Sequence, residues 1–244
     1  MANSTETKAD TLTRYEPYLD RWMSNVPMNK YEKNYHGRLA TFRYIFHELA
    51  KRNGRVIVLE LGTSRSFVDG SFPGCNSDDV KYWDPVDFSK WDFGAGMFTY
   101  LCAEFFSQYH PNIEQHTVDL QKSHIRRCKI MTRKFFHNIK YHVSDSVKFL
   151  EKFNTKCDLI YIDTGDMTPI EPTAKLQLEE VKKIVELNML SSGGFLLIDD
   201  VRNPTALTQG EGNPLGKAKY SVPYLQSQGF RIVMDEYQMV LTKS

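Results

Sequence analysis

Short apolar runs recur along this chain, and four of them end in acidic residues. The run VIVLE ends at Glu60, HTVD at Asp119, LIYID at Asp163 and FLLIDD at Asp199 and Asp200. Apolar runs of this length and β-branched character predict strands that are buried on both faces of a sheet. Because the carboxyl ends of parallel strands line one edge of a sheet, we expect these carboxylates to gather around a single crevice.

Stretches with helical periodicity separate the apolar runs. Over residues 37–52 apolar side chains recur at close to a helical period, and Asn53-Gly54 then ends the predicted helix. Further helices are predicted over 94–109, 123–136, 146–153, 171–190 and 217–228. Strands are predicted over 55–61, 113–119, 139–143, 157–163 and 194–199. This alternation indicates a parallel sheet with helices on both faces.

The end of the chain departs from the alternation. Two short apolar runs, 230–234 and 238–242, are joined by Asp235-Glu236-Tyr237 and predict an antiparallel hairpin. We therefore predict an α/β fold with a doubly wound, mostly parallel, seven-stranded Rossmann-like sheet that ends in a C-terminal antiparallel hairpin. Dinucleotide dehydrogenases usually lack such a hairpin.

Length and composition favour one main domain. With 244 residues, 41% of them hydrophobic, the chain can bury one sizeable core and is short for two ordinary domains. We divide it into an N-terminal tail and lid segment, 1–36, and a main domain, 37–244. Within that domain, 69–93 shows no period and is predicted to be an insertion loop with a role of its own. Its Trp83 and Trp91 can stack on a ligand ring or cover the domain's own surface.

Charge and targeting signals narrow the choice of partners. Lys and Arg number 31 against 30 Asp and Glu, which gives no electrostatic argument for nucleic acid or an anionic membrane. We expect a small-molecule partner, no nucleic acid and no membrane, and homo-oligomer formation stays open. The N-terminus lacks the apolar core of a signal peptide, so a cytoplasmic protein is expected. The four cysteines show no CxxC pairing, which favours buried thiols over a zinc site.

The order of motifs resembles that of a known enzyme class. VIVLELGTSRS follows a helix, SDS closes the third strand, YIDTGD the fourth and GGFLLIDD the fifth, and the hairpin comes last. From about residue 37 to the C-terminus, this order resembles the class I S-adenosylmethionine-dependent methyltransferases. More narrowly, IDTGDM, a helix and GGFLLIDDV resemble the metal-dependent O-methyltransferases of the macrocin sugar O-methyltransferase type. Catechol O-methyltransferase is similar more distantly.

The resemblance implies a cofactor site in the turn after the first strand. A glycine in that turn lets the main chain approach a ligand, and the amides that follow can hold a carboxylate. Only one of the usual glycines is present, with serines in the later places. The residues expected to contact S-adenosylmethionine there are Glu60, Gly62, Thr63, Ser64 and Ser66.

Three further acids are expected beside the cofactor. Asp119 ends the second strand, where a carboxylate can accept hydrogen bonds from ribose hydroxyls or, alternatively, cap the next helix. The resemblance places Asp145 near the adenine amino group, and capping of the following helix is an equal alternative. Asp163, at the end of the fourth strand, is expected to border both the cofactor and the reacting groups.

The resemblance also implies a metal site at the last two parallel strand ends. Asp163, Asp199 and Asp200 would hold a divalent cation, most simply Mg²⁺, which prefers oxygen ligands. The cation would lower the pKa of an acceptor hydroxyl and orient its oxygen. Neighbouring aspartates point to opposite faces of a strand, so both can serve one ion only if the strand ends there and the chain turns. Otherwise one of them pairs with Arg202 or caps a helix.

The sequence therefore predicts an S-adenosylmethionine-dependent O-methyltransferase acting on a small molecule, with a sugar or glycoconjugate favoured over a phenol. Asp166 or Asp163 is expected to take the hydroxyl proton, and Lys175 is a further candidate. Two alternatives stay open, a nucleotide-binding oxidoreductase of the Rossmann class and a methyltransferase-like accessory protein without turnover. The absence of GxGxxG argues against the first, and the missing glycines leave the second open.

Overall fold

One twisted sheet organises the part of the chain that the structure describes. The computed structural model describes residues 10–19, 37–68, 78–93, 97–202 and 215–243. The strands in these residues are β1 (Val56–Leu61), β2 (Ile113–Asp119), β3 (Ile139–Val143), β4 (Cys157–Ile162), β5 (Leu190–Ile198), β6 (Phe230–Asp235) and β7 (Met239–Lys243). They form a seven-stranded sheet in the order β3-β2-β1-β4-β5-β7-β6.

The strand order confirms the predicted architecture. Strands β1 to β5 pair in parallel, whereas β7 runs antiparallel to β5 and also pairs with β6. The last strand of the chain therefore lies between β5 and β6. Strand β1 has β2 on one side and β4 on the other, so the direction of winding reverses at β1. In open α/β sheets a crevice for a ligand opens at the carboxyl ends of the strands where this reversal occurs.

Helices cover both faces of the sheet. Within the described residues they are α1 (Asp10–Thr13), α2 (Glu16–Leu19), α3 (Leu39–Ala50), α4 (Phe98–Tyr109), α5 (Lys122–Met131), α6 (Ser146–Leu150), α7 (Ile170–Glu186) and α8 (Ser221–Ser227). Short 3₁₀ helices lie at Val80–Tyr82, Phe88–Lys90, Arg133–Asn138 and Gly216–Ala218. Among the described residues, no helix combines the length and the apolar character that crossing a bilayer requires.

Several predicted elements have shifted ends. The helix predicted over 123–136 divides into α5 and a 3₁₀ segment, and residues 94–96 of the helix predicted over 94–109 lie outside the described residues. Strand β5 begins earlier than predicted, at Leu190. The helix predicted over 217–228 begins only at Ser221, because residues 216–218 form a 3₁₀ turn.

The sheet separates two apolar clusters. Successive residues of β1 alternate between them, Val58 in one and Leu59 in the other, as expected for a strand buried on both faces. In the first cluster, Phe42 and Phe46 of α3 stack with ring centroids 5.8 Å apart. Burying a side chain of this size stabilises the fold by roughly 1.5–3 kcal/mol. With both faces of the sheet covered, polar chemistry is left to the carboxyl edge.

The insertion packs on the domain's own core. Of 69–93, the structure describes 78–93. Trp91 is 1% exposed and stacks on Trp83 with ring centroids 4.9 Å apart. Trp91 therefore serves the core and does not present a free face to a ligand. Asp78, at the start of the described part, accepts hydrogen bonds from two arginines of α5 and ties the insertion to that helix.

The N-terminal segment adds to the same aromatic cluster. Of the predicted tail and lid, 1–36, the structure describes 10–19. Tyr15 stacks on Trp91 with centroids 5.8 Å apart, and its hydroxyl donates a hydrogen bond of 2.6 Å to Glu104 of α4. The remainder of the predicted lid lies outside the described residues.

We expect Gly62, which follows β1, to tolerate no side chain. Its φ is +90°, and an added Cβ would collide with the carbonyl oxygen of Asp163 at the end of β4. Gly54 is a matched control, because its φ is +85° but nothing lies within 4 Å of an added Cβ. Both alanine variants should lose about 1–3 kcal/mol through backbone strain. Gly62→Ala should lose clearly more, as measured by urea unfolding, and equal losses would show that the contact is not restrictive.

Candidate active site

A cavity of about 410 Å³ lies at the carboxyl edge of the sheet. Its size falls in the range of roughly 300–1,000 Å³ that is usual for small-molecule sites. Residues that follow β1, β2, β3, β4 and β5 line it, so it spans the point where the winding reverses. The predicted site residues that line it are Gly62, Thr63, Asp119, Asp145, Asp163, Asp166 and Asp200.

The loop after β1 is fastened to the end of β2. The backbone N–H of Gly62 donates to the carbonyl of Val118 at 2.8 Å. The backbone N–H of Thr63 donates to Oδ2 of Asp119 at 3.1 Å. One carboxylate therefore fixes the loop and faces the cavity at the same time.

Three predicted cofactor residues lie behind the cavity wall. Ser64 and Ser66 are buried, and the hydroxyl of Ser66 donates to Asp92 of the insertion at 2.7 Å. Glu60 is fully buried and accepts a hydrogen bond from Thr99 of α4. Burial raises the pKa of Glu60 to about 8. These three side chains support the loop from behind, and their direct contact with a cofactor stays a prediction.

Asp119 and Asp145 differ in how they use their oxygens. Asp119 Oδ1 accepts from the backbone N–H of Gln121 at 2.7 Å, and Oδ2 lies 3.1 Å from Nδ1 of His124. The N-cap of α5 is Gln121, so Asp119 is not the cap of that helix. Asp145 is the N-cap of α6 and accepts from the N–H of Lys148 at 3.0 Å. Capping by Asp145 is thus present, while its side chain also borders the cavity.

The three acids predicted to hold a metal lie together, with Asp163 and Asp200 in the cavity lining and Asp199 fully buried outside it. One carboxylate oxygen from each of Asp163, Asp199 and Asp200 lies within 4.8 Å of the others. Both neighbouring aspartates reach the cluster because β5 has ended and Asp200 adopts a φ of +55°. The turn that a shared site requires is therefore present. Arg202, the alternative partner considered for one of these aspartates, forms an ion pair with Asp235, with Nε 2.9 Å from Oδ1.

Two buried cationic side chains hold the acid cluster. Arg38, just before α3, donates to Asp199 through Nη2 at 2.7 Å and through Nε at 3.1 Å. Lys217 places its Nζ 2.7 Å from Oδ2 of Asp200 and 3.4 Å from Oδ1 of Asp163. Both cationic side chains are at most 6% exposed. The cluster thus combines three carboxylates with two cationic groups.

The environment shifts the proton affinities of the cluster in different directions. Burial and the charge of Asp199 raise the pKa of Asp163 well above its usual value. Burial also acts to raise the pKa of Asp200, but the charges of Lys217 and Arg38 outweigh it and hold that pKa below its usual value. For Lys217, burial favours the neutral amine, but the carboxylates outweigh it and raise the pKa. Lys217 is therefore an ammonium, and Asp163 holds a proton more readily than Asp200.

Sequence reasoning missed both cations. Each follows a glycine with positive φ, Gly37 before Arg38 and Gly216 before Lys217. An added Cβ on Gly216 would lie 2.5 Å from the carbonyl oxygen of Asp200, so this turn approaches the end of β5 closely. The available signal was electrostatic, because three acids predicted at one crevice require compensating charge. Nothing local in the sequence singles out these two cations among the 31 lysines and arginines.

The acid cluster has the donor atoms that Mg²⁺ prefers, but its partners do not fit such an ion. Arg38 contacts both oxygens of Asp199, and Gln238 Nε2 donates to Oδ1 of the same carboxylate at 2.8 Å. Lys217 lies between Asp163 and Asp200. An ion bound by all three carboxylates would require Lys217 to leave. The magnesium ion therefore stays a prediction.

The two other candidates for the general base, Asp166 and Lys175, lie in different environments. Asp166 borders the cavity but is exposed, and it pairs with Arg65 of the β1 loop, with Nη1 2.6 Å from Oδ1. Lys175 pairs with Glu171 on the same helix at 3.2 Å and does not line the cavity. Asp166 therefore stays a candidate in the cavity lining, and Lys175 stays a prediction outside it.

Solved structures of other proteins share this architecture. No family model matches the chain, and a search of curated proteins gives no match. The SAH-bound methyltransferase PaMTH1 of Podospora anserina has a TM-score of 0.54 at 13% identity, covering 100% of this chain and 98% of that one. The cofactor-bound Rv0187 from MTB has a TM-score of 0.56 at 12% identity, covering 96% of each.

A third solved structure extends the comparison. The O-methyltransferase TomG of Streptomyces achromogenes, in complex with SAM, has a TM-score of 0.50 at 11% identity, covering 99% of this chain and 93% of that one. Likeness at such low identity concerns the fold. The chain has the α/β methyltransferase fold, with a mostly parallel seven-stranded sheet and a C-terminal antiparallel pair.

Replacement of Arg38 tests whether the cluster needs its cations. We expect Arg38→Met to lower the free energy of unfolding by about 3–5 kcal/mol, because it leaves a buried carboxylate without its partner. Arg43→Met, five residues further on within α3, is the control, since Arg43 donates to Thr13 in a solvent-exposed hydrogen bond. The control should lose less than about 1 kcal/mol. Urea unfolding measures both, and a small loss in Arg38→Met would contradict the assigned role.

Proposed function

We propose that this protein is an S-adenosylmethionine-dependent O-methyltransferase that modifies a hydroxyl of a small molecule. The observation that carries the proposal is one cavity lined both by the β1 loop with Asp119 and by Asp163 and Asp200 of the acid cluster. Ligands with a nucleoside part bind at this place in open α/β sheets, where the winding reverses. The neighbours PaMTH1 and TomG, which were solved with SAH and SAM, support the choice of cofactor.

The cofactor end of the cavity has the groups that a nucleoside needs. Asp119 is held in place by three hydrogen-bonding groups and presents its carboxylate to the cavity, where ribose hydroxyls can donate to it. Leu120, the next residue, is 63% exposed although it is apolar, and it lines the cavity. Leu120 offers a surface against which the nucleobase of the cofactor can pack. Gly62 leaves room for the amino-acid end of the cofactor.

The acid end of the cavity has the groups that methyl transfer needs. S-adenosylmethionine, when bound, supplies a methyl group on sulfonium, and the acceptor oxygen displaces neutral sulfur, which keeps the electron pair of the broken C–S bond. Asp163 suits the role of general base for the acceptor hydroxyl, because its raised pKa makes it a stronger base than an ordinary carboxylate. Asp166 suits it less, because it is exposed and paired with Arg65.

We propose a sugar or glycoconjugate as the acceptor. Among the described residues that line the cavity none is Phe, Tyr or Trp, and the imidazole of His124 lies beside Asp119 and not beside the acid cluster. Asp163, Asp166 and Asp200 line the acid end, and carboxylates accept hydrogen bonds from several hydroxyls at once. This polarity favours a polyhydroxylated acceptor over a catechol-like one.

The first test is calorimetric titration of S-adenosylmethionine into the protein. We expect binding to the wild type, and roughly tenfold weaker binding to Asp119→Asn, because a charge-assisted hydrogen bond is lost. Asp235→Asn is the control, since Asp235 pairs with Arg202 away from the cavity. No binding to the wild type would contradict the methyltransferase proposal and reopen the nucleotide-dependent alternative.

The second test is transfer of a labelled methyl group to a panel of free sugars, nucleotide sugars and catechols. Asp163→Asn should lower kcat by about 10²–10⁴-fold, because it removes the proposed base. Its affinity for S-adenosylmethionine should change much less. Binding of the cofactor by the wild type without a product from any acceptor would support the accessory protein. Full activity of Asp163→Asn would assign the base elsewhere.

A further inference from the structure

The ammonium of Lys217 lies among oxygens from two strand ends. Its Nζ is 2.7 Å from Asp200 Oδ2, 3.4 Å from Asp163 Oδ1 and 3.3 Å from the carbonyl oxygen of Gly165. The side chain is 1% exposed. A buried lysine is stable only when its charge is compensated, and here the compensating groups are two of the three acids expected to bind a metal. Lys217 thus occupies the position that a shared cation would need.

The backbone holds Lys217 in this position. Gly216 has a φ of +50°, and an added Cβ would come within 2.9 Å of the carbonyl oxygens of both Asp200 and Val201. The N–H of Ala218 closes the turn by donating to the carbonyl of Leu215 at 2.8 Å. The ammonium is therefore delivered by a turn packed against the end of β5, and not by a flexible surface segment.

The charges of the cluster agree with a replacement of the metal. Arg38 and Lys217 together carry two positive charges, which is the charge of one Mg²⁺ ion. Arg38 serves Asp199, and Lys217 serves Asp163 and Asp200, so each carboxylate of the cluster has a cationic partner. With both cations present, a divalent ion would raise the charge of the cluster from −1 to +1 if all three acids are ionised.

We propose that Lys217 is the chain's own cation at this site and takes the place of a divalent metal. In this role it is a positioning residue. It neutralises Asp200, holds Asp163 at the cavity and makes the site independent of added metal. The catalytic meaning of this inference rests on the proposed methyl transfer, whereas the exclusion of metal by Lys217 does not.

Binding of Mn²⁺, followed by electron paramagnetic resonance, tests the inference without any assay of activity. We expect weak binding to the wild type and binding that is tighter by roughly tenfold or more in Lys217→Ala, where three carboxylates face one position. The gained site should disappear in Lys217→Ala combined with Asp199→Asn and Asp200→Asn. Lys219→Ala is the matched control, because Lys219 lies in the same segment and pairs with Glu171. It should bind Mn²⁺ as weakly as the wild type.

Two results would overturn the inference. Tight binding of Mn²⁺ by the wild type, lost on replacement of Asp199 and Asp200, would show that the ion displaces Lys217 and would support the magnesium prediction. Failure of folded Lys217→Ala to gain a site would show that Lys217 does not fill a cation position.

Measurements on folded forms keep the test informative if Lys217→Ala does not fold. The Tm of the wild type should be the same in Mg²⁺ and in chelator. Lys217→Arg should also have the same Tm in both conditions, and it should retain most of the wild-type stability. A Tm of the wild type that rises with Mg²⁺ would overturn the inference. Titration of S-adenosylmethionine into the wild type in chelator tests the proposed function separately, so the two can fail independently.

Discussion

The crowding of three carboxylates at one point of the sheet edge, with Asp199 and Asp200 buried and Asp163 partly exposed, is the constraint on which the site depends. Asp163, Asp199 and Asp200 end two neighbouring strands, and their oxygens lie within 4.8 Å of one another. Such a group cannot be buried without compensating charge. Arg38 and Lys217 supply it from segments 179 residues apart, counted from their residue numbers. The cluster thereby ties the start of α3 and the turn before α8 to the ends of β4 and β5.

The reversal of winding at β1 sets the shape of the cavity. Because β1 lies between β2 and β4, the loop that follows it meets the ends of both neighbours. Gly62 touches the backbone of Asp163 on one side, and Thr63 donates to Asp119 on the other. The short loop after β1 therefore lies between two parts of the cavity. Asp119 and the exposed Leu120 line one part, and the acid cluster lies at the other. This division suits a cofactor with a nucleoside part at one end and a reactive group at the other.

The insertion and the N-terminal segment serve the scaffold more than their sequence suggests. Trp91 is buried, and Tyr15 and Trp83 stack on it. The same insertion reaches the site indirectly, because Ser66 of the β1 loop donates to Asp92. The large aromatic side chains of the insertion therefore cover α4, and Asp92 braces the loop next to the cavity.

The sequence by itself determined the order of strands and helices and the edge at which the acids meet. Periodicity decides which stretches are buried on both faces, and the carboxyl ends of parallel strands share one edge whatever the loops do. Those rules placed Asp163, Asp199 and Asp200 at that edge, whereas the turn at Asp200 that brings both neighbouring aspartates to one point is visible only in the structure. Only the tertiary structure decided what compensates them. Ion pairs such as Arg38 with Asp199 join residues far apart in the chain, and local pattern carries no record of which cation is buried. The same reason explains Glu60, Ser64 and Ser66, since the direction of a side chain in a loop depends on contacts with α4 and the insertion.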